Sequence, residues 1–137
     1  MFEPGGCAYV YMIYGFYFCL NAVTEDEGYP AAVLIRAVEP LDGVASMRKR
    51  RKNSRRDSDI ASGPGKLCMA MGIDKQLNGA NLSGKTLWIE DRELAVDAIE
   101  ASPRVGVDYA GEYKDKPWRF SIRANPHVSR VKFKGAS

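Results

Sequence analysis

Between Tyr9 and Phe18 the chain carries six aromatic rings around one glycine: Tyr9, Tyr11, Tyr14, Phe16, Tyr17 and Phe18. Aromatic and β-branched residues favour a pleated, half-buried surface. Gly15 interrupts the run where two strands can reverse. Residues 8–14 and 16–24 therefore read as two strands of a hairpin. Alternation turns Tyr9, Tyr11 and Ile13 to one face and Val10, Met12 and Tyr14 to the other. The reversal leaves Tyr14 or Phe16 at an exposed tip. Rings so placed serve either as an aromatic cross-strand ladder or as flat surfaces that wedge between nucleobases or stack on them.

The rest of the chain builds on that hairpin. After the polar loop Glu25 to Pro30, the run Ala31 to Val38 reads as a third strand, closed by Glu39-Pro40. The three strands predict an antiparallel meander. Asp42 is an expected N-cap for a helix through Val44 and Met47. Ser62-Gly63-Pro64-Gly65-Lys66 opens a short helix, Leu67 to Met71, which Gly72 ends. Thr86 to Glu90 reads as a strand, Arg104 to Val107 as a short strand or extended loop, and Trp118 to Arg123 as a last strand. No repeat or linker divides the chain, and 137 residues suffice for one domain with one core.

Composition excludes several classes. Three widely spaced cysteines, Cys7, Cys19 and Cys68, match neither a disulfide framework nor a zinc site. The single histidine, His127, leaves no basis for a histidine-based triad and reads as an exposed loop residue. No metal or cofactor is expected. The apolar stretch at the start is too short to span a bilayer and is aromatic rather than leucine-rich. The cytoplasm is thus the expected location, nucleoid-associated in a bacterium, with no membrane partner. Net charge is only +3, but Arg48, Lys49, Arg50, Arg51, Lys52, Arg55 and Arg56 fall within nine residues. Such a run either attracts a polyanion through counterion release or forms a solvated loop or helix end. The tail after Pro126 is basic as well.

Two further groupings can carry chemistry. Glycines ahead of a helix leave backbone N–H groups for an anion, and Lys66 adds a charge. The segment lacks the Walker A pattern, so a phosphodiester suits it better than a nucleotide triphosphate; a plain helix start fits equally. Asn21 and Arg36 fall on neighbouring strands. A buried amide can accept or reject a base edge, and a buried guanidinium can orient a carboxylate and a water. Alternatively Arg36 snorkels to the surface.

Taken in order, several segments resemble the alkyladenine (3-methyladenine) DNA glycosylase family. They are Met1-Phe2 with Pro4, Ala8-Tyr-Val-Tyr-Met-Ile-Tyr-Gly15, Cys19-Leu-Asn21 and Ala32-Val-Leu-Ile-Arg36-Ala-Val-Glu-Pro40. Ser62-Gly-Pro-Gly-Lys-Leu-Cys68, Pro103-Arg-Val-Gly-Val107 and Pro117-Trp-Arg-Phe120 follow. The resemblance implies a single α+β domain: a curved antiparallel sheet, a projecting β-hairpin and a few short helices. It implies a monomer that flips alkylated or deaminated purines out of double-stranded DNA and hydrolyses the N-glycosidic bond in base-excision repair. By motif match Tyr14 is the intercalating wedge and Phe16 its support. Tyr11, Asn21, Val105 and Gly106 border the base pocket, Asn21 disfavouring guanine. Lys66 contacts a phosphate, and Arg36 orients the catalytic glutamate and its water. The family's Glu-Thr-Glu-Ala-Tyr-like motif does not occur in the sequence. The domain is therefore expected to be incomplete at its N-terminus, with a non-catalytic DNA-binding remnant that recognises distorted duplex as the alternative role.

Overall fold

A computed structural model describes residues 1–129. The basic residues Arg130, Lys132 and Lys134 of the tail lie outside the described residues. The hairpin forms as its sequence dictates. Strand β1 (Ala8–Ile13) pairs antiparallel with β2 (Tyr17–Val23), Tyr9 opposite Asn21 and Tyr11 opposite Cys19. Strand β3 (Ala32–Leu34) adds to the other edge of β2. It is shorter than the apolar run predicts. Ile35 N still donates to Leu20 O at 2.9 Å, but Val38 N donates to Ala61 O at 3.2 Å, so the chain leaves the ladder there.

Directly opposed residues share a face, so Ala8, Val10, Phe18, Leu20 and Ala22 lie together on one side of the sheet. That side packs on the core, which includes Ile60, Ala61 and Ile73 together with Leu67, Cys68 and Ala70 of helix α2 (Pro64–Met71). Proline in the first turn starts α2, and Gly72 in left-handed conformation ends it. Helix α1 (Val44–Arg50) precedes it, with Gly43 rather than Asp42 at the N-cap position and no side-chain cap.

The single curved sheet expected from the sequence is replaced by two separate sheets among the described residues. The second is a two-stranded ribbon of β4 (Ile99–Ser102) and β5 (Arg119–Ile122). Thr86 to Glu90 does not form a strand: only an isolated bridge, Ser83 to Trp88, pairs there. An irregular stretch follows and precedes the ribbon in the chain. Residues 8–34, expected to belong to an incomplete curved sheet, form an ordered three-stranded meander with β1 at its edge. Among the described residues no helix is long and apolar enough to cross a membrane.

Candidate nucleic-acid interface

The hairpin tip is a tight turn. Tyr14 and Gly15 have φ of 54° and 76°, and Phe16 N donates to Ile13 O at 3.4 Å. Two successive positive φ values are the pattern of a type I′ turn, whose twist matches the flanking strands. Glycine takes that conformation freely, whereas a bulky residue rarely does, so Tyr14 is held in an uncommon backbone state. Tyr14 is nonetheless 80% exposed. No heavy atom lies within 4 Å of a Cβ built on Gly15, which isolates the backbone term. Gly15→Ala is expected to cost about 1–2 kcal/mol, measured by urea unfolding, because alanine strains in the left-handed region.

The tip is braced from behind. The Phe16 and Tyr17 rings are 4.2 Å apart, and the Tyr17 ring lies on the first turn of α2. A Cβ at Gly65 would meet Tyr17 Cδ1 at 3.0 Å. Gly65 thus serves close packing of hairpin on helix, a role the sequence does not reveal. Lys66, on the exposed side of that turn, donates from Nζ to Ser62 Oγ at 3.4 Å.

The other face of the meander gathers Tyr9, Tyr11, Cys19 and Asn21. The Tyr9 and Tyr11 rings are 5.4 Å apart and tilted by 32°. Asn21 is buried and donates from Nδ2 to Tyr9 O at 3.2 Å, which fixes the orientation of its amide. Burial pushes the Tyr11 hydroxyl above its usual range, and the adjoining Cys19 thiol adds to the effect. Burial also raises Cys19, against opposing pulls from the Tyr11 hydroxyl and the Arg36 guanidinium. Arg36 therefore sits beside the tyrosine face rather than apart from it. Its own pKa is lowered, first by burial and then by the like charge of Arg119. Its Nε is buried without a hydrogen-bond partner, and among the described residues no carboxylate lies within ion-pair distance of it.

Val105 and Gly106 stand on a separate loop after β4, Gly106 with φ of 72°. Arg104 anchors that loop: its guanidinium lies 5.4 Å from the centre of the Trp118 ring, which stacks on Tyr113 at 5.6 Å. This three-residue stack ties together the stretch from Arg104 to Trp118, and no local pattern announces it.

The basic run divides in the fold. Arg50 donates from Nη1 to Ala70 O at 2.9 Å, and Arg51 from Nε to Ile60 O at 3.1 Å. Both therefore tie α1 to α2 and to the segment before it. Arg48 pairs with Asp57, and Arg56 with Asp59 at 3.3 Å. His127 is not the exposed residue expected: its side chain is largely covered, with Nε2 3.8 Å from Glu39 Oε1. The three cysteines are free thiols. Burial, with a smaller push from Cys19, lifts Cys68 to about 11.

Comparison with known proteins follows the same residues. The model of the methylpurine-DNA glycosylase family matches residues 1–126. A relative from Methanocella arvoryzae, described as a 3-methyladenine DNA glycosylase, is 56% identical over 132 residues, covering 95% of this chain and 65% of the relative. One from Alkaliphilus oremlandii, with the same description, is 48% identical over 137 residues, covering 95% of this chain and 68% of the relative. The chain thus spans about two thirds of the length of these relatives. The family match takes in residues 1–126 and residues 8–34 are ordered strands, so the expectation of missing structure is corrected for the N-terminal region that this chain carries.

Proposed function

Because the chain belongs to the methylpurine-DNA glycosylase family, we propose that it acts as a single domain on double-stranded DNA, extruding alkylated or deaminated purines and hydrolysing their N-glycosidic bond. The observation that carries this reading is the Tyr14 ring, exposed on a tight turn braced by Phe16, Tyr17 and α2. Extruding a base costs a few kcal/mol, least where the base is damaged or mispaired. A ring entering the vacated stack offsets part of that cost. Tyr14 is the wedge in this reading, and Phe16 supports it in the groove.

The flipped purine then meets the tyrosine face. A purine alkylated on a ring nitrogen is cationic, so an aromatic wall attracts it more than it attracts a neutral base. Tyr11 supplies that wall. Asn21, its amide fixed by Tyr9 O, rejects the guanine amino group. Val105 and Gly106 border the pocket, and Lys66 contacts a backbone phosphate. A cationic base departs as a neutral molecule and is already a good leaving group. Water adds to the sugar carbon as the glycosidic bond breaks and gives up a proton to bulk solvent, and Arg36 orients that water by hydrogen bonding. Neutral lesions require a proton on the leaving base in addition.

The expected result is release of 3-methyladenine from methylated duplex DNA, followed by chromatography of the freed base. A second reading, a DNA-binding module that recognises distorted duplex without cutting it, is favoured by Arg36 standing without a carboxylate partner among the described residues. Tight, salt-sensitive binding to mismatched duplex with no base released selects that module. Neither binding nor release defeats both.

A further inference from the structure

We propose that Arg119 forms, with Lys66, a binding site for a DNA backbone phosphate in the cleft between the start of α2 and the β4–β5 ribbon. The inference rests on the DNA-binding reading above and adds a residue to it. The cleft encloses about 760 Å³. One wall is the polar face of the ribbon, where Glu100 lies opposite Ser121 and Ser102 opposite Arg119. Ser62 and Lys66 form the facing wall at the helix start.

Charge accounting leaves this cleft in want of an anion. Two carboxylates line it, and both are engaged by other arginines. Asp59 is paired with Arg56 at 3.3 Å and Glu100 with Arg123 at 3.1 Å. Lys66 and Arg119 have no carboxylate within ion-pair distance among the described residues. Arg119 is held by neutral groups instead, donating from Nη1 to Ser102 Oγ at 3.3 Å and from Nη2 to Ser129 O at 3.2 Å. It also stands near enough to Arg36 for the two like charges to oppose one another. Arg119 and Lys66 thus bring positive charge without a paired carboxylate to the walls of a polar cleft, and an entering anion offsets it. A phosphodiester supplies one negative charge and acceptor oxygens suited to the guanidinium fork.

The test is the salt dependence of binding to an undamaged duplex, read by fluorescence anisotropy. Each phosphate neutralised contributes about 0.9 to the slope of log K against log salt. Arg119→Gln is expected to lower that slope by about one unit, and Arg119→Lys to restore it. Loss of the Ser102 and Ser129 hydrogen bonds alone would lower the melting temperature in both variants and leave the slope unchanged. Ser121→Asp keeps Arg119 and places a negative charge on the cleft wall. It is expected to weaken binding at least about fivefold at low salt, where screening is weak. An unchanged slope in a folded Arg119→Gln protein overturns the proposal while the DNA-binding reading stands. Should Arg119→Gln fail to fold, unchanged affinity in Ser121→Asp overturns it. Failure of the native chain to bind duplex at all removes both together.

Discussion

Leu67→Ala is expected to lower the unfolding free energy by about 3 kcal/mol, within the range for deleting a fully buried leucine. Leu67 is completely inaccessible and belongs to the core cluster that includes Val10, Leu20, Ile60, Ala61 and Ile73. Removing three carbons loses their transfer free energy and leaves a cavity. The close packing of hairpin and helix at Gly65 and Tyr17 limits how far the walls can collapse into it. Urea unfolding followed by circular dichroism measures the change. Met69→Ala, on the exposed side of the same helix, is the internal comparison and is expected to change stability by less than about 0.5 kcal/mol. Equal effects for the two would show that α2 does not present Leu67 to the core.

Where local rules act alone, the sequence reports the fold well. The hairpin follows from alternation and Gly15, α2 from Pro64 and Gly72, and β5 from the alternating Trp118 to Arg123 run. It reports poorly where a residue's role depends on what the fold brings opposite it. Arg50 and Lys49 are neighbours in one basic run, yet Arg50 donates to Ala70 O, twenty positions away. A charge run looks the same whether it faces solvent or ties two helices. Thr86 to Glu90 has strand composition, but a strand needs a continuous partner, and here only an isolated bridge at Trp88 forms. The ribbon strand Ile99 to Ser102 is specified by its pairing with β5 rather than by its own weak pattern. At the candidate site the same division holds. Motif and strand register mark Tyr11, Tyr14, Asn21 and Arg36, to which roles are proposed. The role proposed for Arg119 has no such mark, since it depends on Asp59 and Glu100 being paired with other arginines.

Tyr14→Ala is expected to weaken binding to a duplex containing a mismatch or an abasic site by about 5- to 150-fold. That corresponds to the roughly 1–3 kcal/mol that one base–aromatic stack contributes. The folded state should be little affected, because the ring is exposed and both residues carry the same Cβ into the left-handed turn position. Tyr14→Phe keeps the stacking surface and is expected to bind as the native chain does, which separates the ring from the hydroxyl. Fluorescence of 2-aminopurine opposite the lesion reads the same event: its rise on binding should be lost with alanine and kept with phenylalanine. The salt slope supplies an independent check. A wedge neutralises no phosphate, so Tyr14→Ala should shift affinity at every salt concentration by the same factor, while Arg119→Gln changes the slope itself. Unchanged affinity of the alanine variant for the distorted duplex would remove Tyr14 from the interface and leave the hairpin as a structural aromatic ladder.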